Sequence, residues 1–217
     1  GVKQINLDGV GKRGGEFIES QLATAASDPE LVAATAEEII RLGADRKSWL
    51  VFSSGVNHAN MLAAEFDFHN IPVGVVTGSD SSSVREKAIA DFKSGKLRCL
   101  INVNVLTTGF DHPEVDLVAL VRATASTGLY VQMVGRGTRI AEGKEDCLIL
   151  DYGQNVERHG FIDQVKPKDK MSSGDGEAPV KQCEKCQTMV HAACQICPEC
   201  GFEFPAPTLN HSSNSYR

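Results

Sequence analysis

The chain has 217 residues, 41% of them hydrophobic and 23% charged, with a formal net charge of -6. That is ordinary globular composition, long enough for one sizeable core and a small appendage. The negative balance argues against a general polyanion binder, so any nucleic-acid contact must come from locally placed groups. No apolar run approaches the ~20 residues a membrane span needs, and no signal segment opens the chain. Gly1 stands where an initiating Met would, as expected of a fragment of something longer.

In chain order, the first 27 residues read as a basic lead-in. Their GVGKRGG stretch (9–15) looks like a phosphate loop but fails as one, because Lys12 is followed by Arg13 where Mg²⁺ binding needs Ser or Thr. We expect a flexible basic loop there. A helix over 28–42 is signalled by Asp28 as N-cap and Pro29 at its first position. Apolar runs at 48–52, 71–76, 97–103, 115–121 and 146–152 are rich in Val, Ile and Leu without polar alternation, as strands buried on both faces are. Helical periodicity fills 57–70, 83–95 and 126–135, the last opened by Ser126 or Thr127. The alternation predicts a doubly wound α/β domain over 28–164.

Ligands in such sheets bind beyond the carboxyl ends of the strands. Those ends read FSSG (52–55), VTGSD (76–80), NVNVLTTGFD (102–111) and VRATAST (121–127), small, hydroxylated and Gly-bearing. In QMVGRGTR (132–139), Arg136 and Arg139 would share one face if the segment were helical, and guanidiniums suit phosphate. A solvated helix end with favourable positive charge explains the same pair.

Residues 165–182 are charged, polar and rich in Pro, Gly and Ser, and read as a flexible linker; 206–217 read as a polar tail. Between them, five of the seven cysteines fall from Cys183 to Cys200. Cys183/Cys186 and Cys197/Cys200 form two CxxC knuckles, the bite that zinc requires. Cys194 competes with Cys200; Pro198 and Gly201 favour Cys200, leaving His191 and Cys194 as spectators. Lys185 among Glu184, Glu199 and Glu203 favours a structural or protein-docking ribbon over a DNA-binding one. Reduced cysteines of this kind place the protein in the cytoplasm.

The ordered set is more specific than any piece. WLVFSSGVNHANML resembles motif IV, NVNVLTTGFD motif V, and QMVGRGTR the QxxGRxxR form of motif VI in the second RecA-like lobe of superfamily-two helicases. The resemblance spans roughly residues 1 to 160, and the basic opening with a C-terminal cysteine cluster is most similar to RadD-like DNA repair helicases or related phage helicases. It implies ATP with Mg²⁺ bound mainly by a first lobe outside this sequence, with Arg139 as the finger reaching the γ-phosphate and Arg136 beside it. Gln132 would orient water or sense the γ-phosphate. Gly109 and Asp111 would meet the nucleotide, Asp111 as a partner for ribose or arginine. Ser53, Ser54, Thr77, Gly78, Asn104 and Thr107 would approach the nucleic-acid backbone. Two positions depart from the pattern: Met133 stands where Arg is frequent, and Val103 where Thr is. With no Walker loop or acidic metal-binding pair in the sequence, ATP hydrolysis by this chain alone is not expected. A non-catalytic scaffold for nucleic acid or a partner protein, and the translocating part of a restriction enzyme, fit the same residues.

Overall fold

The computed structural model describes residues 3–105, 110–165 and 180–205. It divides into two compact units, Gly1–Ala178 and Pro179–Arg217. The first opens with strands β1 (Lys12–Arg13) and β2 (Glu16–Phe17) and helices α1 (Glu19–Ala26) and α2 (Pro29–Leu42). Then follow β3 (Trp49–Ser53), α3 (Val56–Phe68), β4 (Val73–Thr77), α4 (Ser82–Lys93) and β5 (Cys99–Val103). β6 (Leu117–Val121), α5 (Thr127–Val134), β7 (Leu148–Asp151) and α6 (Asn155–His159) complete it.

Five strands form one sheet in the order β4-β5-β3-β6-β7, every pairing parallel. β3 lies at the centre, Trp49 opposite Cys99 on one side and Leu117 on the other. All its residues are buried, as the unalternating apolar run requires. Trp49, Val51, Ile101, Leu117 and Ala119 pack beneath Val32, Ala36 and Ile39 of α2 and Ala59, Leu62 and Phe66 of α3. Their alternates Leu50, Phe52, Leu100, Val118 and Leu120 are buried on the other face. α4 packs on β4 and β5, and α5 on β6. The predicted caps are present: Asp28 accepts from the Leu31 amide at 2.9 Å, and Ser126 from Leu129 at 3.2 Å.

The chain leaves β3 towards β4 and leaves β6 towards β7, in opposite directions along the sheet. In sheets of this kind the carboxyl edge at such a divergence, here between β3 and β6, is where ligands bind. The backbone there is held tightly. A Cβ on Gly153 would lie 2.2 Å from the Arg122 carbonyl oxygen, so only glycine permits this approach. Fully buried Asn155 donates to the Arg122 carbonyl (2.8 Å) and accepts from the Thr124 amide (2.9 Å).

The expected flexible loop at 9–15 is corrected. Residues 12–17 form a hairpin, because adjacent Gly14 (φ 62°) and Gly15 (φ 83°) supply the two positive-φ positions that a tight two-residue turn demands. Glu16 then anchors it: the carboxylate accepts from the Thr124 hydroxyl (2.5 Å), the Ala125 amide (2.8 Å) and the Ser126 amide (3.2 Å) at the start of α5. Ile5, Leu22, Ala26 and Ala123 form a small core beneath. Residues 166–179 and 206–217, read as most of the linker and the tail, lie outside the described residues; Val180–Gln182 is already a strand.

Burial alone would raise the Glu16 pKa, but hydrogen bonds from Thr124, Ala125, Phe17 and Ser126 outweigh it and hold the carboxyl below its ordinary 4.5. The folded value is depressed, so this stabilisation is complete above 4.5 and disappears as pH falls through the folded value. Glu16→Gln is expected to cost about 1–3 kcal/mol at neutral pH. In thermal melts the gap to the unsubstituted protein should narrow below pH 4.5; a gap independent of pH would count against the anchor.

Candidate functional site

α5 ends at Val134, so Arg136 and Arg139 sit in the turn beyond it, and no helix face brings them together. Convergence comes from the sheet. A Cβ on Gly137 would meet Cys147 Sγ at 2.4 Å and Val118 Cγ2 at 2.9 Å, so the bare glycine lets the turn press onto β6. From there Arg136 donates to the Phe110 carbonyl at 2.6 Å, and Arg139 pairs with Asp111. Burial, then the neighbouring Arg139, lowers the Arg136 pKa against the pull of Asp111. Arg139 and Asp111 are 38% and 69% exposed, so their pair is worth about 0–1 kcal/mol and exchanges readily. Gln132 is exposed on α5. Of the sequence-predicted nucleotide residues, the structure thus gathers Arg136, Arg139 and Asp111; Gly109 lies outside the described residues, as does Thr107.

The residues expected to meet nucleic acid divide into two groups. Ser53 and Ser54 correct the expectation that their hydroxyls face a phosphate, because both are buried and internally bonded. Ser53 Oγ meets His58 Nδ1 at 3.1 Å, and Ser54 Oγ donates to the Val121 carbonyl at 2.9 Å. The Ser54 amide also donates to His58 Nδ1 (3.3 Å), and burial drives the His58 pKa down to about 4, keeping this imidazole neutral. These groups bind the β3 loop to β6. Thr77 is also nearly buried: its amide donates to Asp80 Oδ2 at 2.6 Å and its hydroxyl meets Ser79 at 2.9 Å. The turn it forms leaves Gly78 exposed with no atom within 4 Å of a hypothetical Cβ, a bare backbone open to close approach. Asn104, at φ 60°, donates to Glu19 Oε1 (2.5 Å) and accepts from Arg122.

Sequence reading missed Glu16, Asn155 and Arg122, which carry no motif signal, and His58, which lies within the motif IV stretch but was given no role. Arg122 is only 8% exposed, and burial lowers its pKa while Glu16 and Glu19 oppose that shift. It also missed Lys144, which bonds the Pro113, Gly137 and Arg139 carbonyls.

In the second unit, β8 (Val180–Gln182) and β9 (Met189–His191) pair antiparallel. Sγ atoms of Cys183, Cys186, Cys197 and Cys200 all lie within 4.8 Å of one another. Cys183–Cys200 and Cys186–Cys197 are each 3.6 Å apart. Four thiolates around zinc at about 2.3 Å stand about 3.8 Å apart, so this set fits a tetrahedral ion. The two knuckles share one geometry: Gln187 (φ 61°) and Gly201 (φ 69°) follow the second cysteine of each and donate to the first cysteine's carbonyl. Thr188, through its hydroxyl and then its amide, holds the Cys186 thiol down to about 6, towards the thiolate a metal binds. Cys194 stands outside the cluster.

Residues 32–141 match the helicase conserved C-terminal domain. The chain belongs to this family. Among its relatives is Schizosaccharomyces pombe irc3, whose name describes a mitochondrial ATP-dependent helicase: 40% identity over 114 residues, covering 52% of this chain and 19% of that protein. A 51.5 kDa protein of Lactococcus phage (isolate 7-9) is 28% identical over 162 residues, 71% of this chain and 36% of the phage protein. The chain therefore spans about a fifth and about a third of these two relatives. Among solved structures, the E. coli DEAD-box protein SrmB, bound to regulator of ribonuclease activity A, aligns with TM-score 0.52 at 20% identity, over 68% of this chain and 93% of that one. At that identity the likeness concerns the fold alone, a RecA-like α/β domain around a parallel sheet. Among the described residues no helix is long and apolar enough to cross a membrane.

The thiol geometry yields a direct test by metal analysis. Cys194→Ser is expected to retain one zinc per chain, and Cys200→Ser to lose it; the reverse would move the ligand set to Cys194.

Proposed function

We propose that this chain is the C-terminal motor lobe of an ATP-dependent DNA helicase or translocase acting in DNA repair or replication. The observation that carries the reading is the convergence of Arg136, Arg139 and Asp111 at one corner of the lobe. In the proposed cycle Arg139 exchanges Asp111 for the γ-phosphate of MgATP held on a partner RecA-like lobe. Its guanidinium then faces the charge that spreads over the phosphoryl oxygens in the transition state. Arg136, bonded to the Phe110 carbonyl, stands beside it, and Gln132 orients the attacking water or senses the γ-phosphate. Exposed Gly78 offers backbone to a passing phosphate, a contact that ignores base identity and suits a motor. DNA as the track rests on the basic opening together with the cysteine cluster. We further propose that Cys183, Cys186, Cys197 and Cys200 hold one zinc ion, that the ribbon serves structure or protein docking, and that the protein works in the cytoplasm.

Removing an arginine finger costs about 10³–10⁵ in kcat in phosphoryl-transfer enzymes. Arg139→Ala in the full-length protein is expected to lose DNA-stimulated ATPase on that scale, with ground-state ATP binding changed far less. Lysine keeps the charge but not the fork, so Arg139→Lys should recover little. Near-normal ATPase in Arg139→Lys would sink the finger assignment, and stimulation by RNA but not by single-stranded DNA would move the substrate class.

A further inference from the structure

Arg139 is tied to the segment after β5 twice, once by its side chain and once by its backbone. The side-chain tie is the exposed pair with Asp111. The backbone tie runs through Lys144. Gly143 (φ 73°) reverses the chain after Ile140, and Lys144, part-buried, folds back beneath the turn. Its ammonium donates to the carbonyls of Pro113 (2.9 Å), Gly137 (2.7 Å) and Arg139 (2.8 Å). An ammonium has three N–H groups, and three carbonyls receive them. All three partners are neutral dipoles from two segments distant in sequence.

We infer that Lys144 is a positioning residue for Arg139, holding the backbone of the finger-bearing turn fixed against the segment after β5 while the Arg139 side chain is free to change partners. The inference rests on the motor reading proposed above. An exposed ion pair releases its arginine easily, but a turn that moved along with it would carry the guanidinium away from the phosphoryl group. Lys144 prevents that movement, because its bonds go to main-chain oxygens that exchange of Asp111 leaves untouched. Gly137, pressed against Val118 and Cys147, supplies the second fixed point. With both in place, only the side-chain torsions of Arg139 change between the Asp111-bound and phosphate-bound states.

The test is a double-mutant cycle on the full-length protein, read by steady-state ATPase with single-stranded DNA. Lys144→Met keeps the aliphatic stem and removes the three donors. Misplacement of a catalytic group by about 1 Å costs about 10²-fold, so kcat should fall on that scale with KM for ATP nearly unchanged. Lys144→Arg keeps the charge, but a planar fork does not converge on three carbonyls around one nitrogen. It should show the kcat loss with an unchanged melting temperature, which keeps the test open if Lys144→Met folds poorly. In an Arg139→Ala background Lys144→Met should add nothing, because the residue it positions is gone. Wild-type kcat in both Lys144 variants, or losses that multiply in the double variant, would overturn the inference. Absence of ATPase from the unsubstituted full-length protein would instead overturn the motor reading, and this assignment with it.

Discussion

The functional edge of this lobe depends on β3 being hydrogen-bonded on both sides and buried on both faces. A strand in that position has no polar surface left to offer, so its chemistry must sit in the loop at its carboxyl end. Parallel pairing sends the loops after β5 and β6 to the same edge. Phe110, Asp111, Arg136 and Arg139 meet elsewhere, beside the amino ends of β6 and β7, where Gly137 packs on Val118 and Cys147 and Lys144 ties Pro113 to the Arg139 turn.

Around that edge the backbone is immobilised by side chains whose hydrogen-bonding capacity is directed inward. Glu16 takes the two amides that precede α5, Asn155 bridges the loops after β6 and β7, and, towards the amino ends of the strands, Lys144 joins two carbonyl-rich turns. Buried polar groups are costly unless bonded, so each such residue specifies one loop geometry. Outside this frame stand exposed Gln132, exposed Gly78, and the half-exposed Arg139–Asp111 pair. A rigid frame bearing a few exchangeable side chains is how a site achieves placement without losing turnover. Arg122 belongs to the frame, for its buried guanidinium donates to Asn104 and its charge is opposed by the acidic pair Glu16 and Glu19.

The ribbon obeys a different economy. Its core is Cys183, Val190 and Cys197 with Cys194, Cys200, Phe202 and Phe204 against it, far too little apolar surface for a stable domain. Phe202 and Phe204 pack edge to face at 5.4 Å, and Lys181 lies over the Phe204 ring at 3.7 Å. Such contacts do not offset the chain entropy of a unit this small, which is why we propose a zinc ion there; structural zinc contributes about 10–16 kcal/mol in zinc-finger peptides.

The periodic and motif-bearing parts were legible from sequence. Buried strands announce themselves as unbroken Val, Ile and Leu runs, helix starts by Asp28–Pro29 and Ser126, and the four-cysteine cluster by paired CxxC spacing, because each signal is local and its physics acts within a few residues. The lead-in hairpin was half legible, since Gly14–Gly15 dictates the turn but nothing nearby shows that Glu16 has a partner more than a hundred residues away. Two expectations failed for the same reason. Ser53 and Ser54 look like phosphate ligands until β6 and His58 claim them, and Arg136 and Arg139 look like a helix face until α5 stops at Val134. Sequence by itself therefore determined which segments form strands and helices, and which side chains can carry phosphate and metal chemistry. Only the tertiary structure decided which of those groups are free to use it, because a hydrogen bond between distant residues leaves no periodic mark on either.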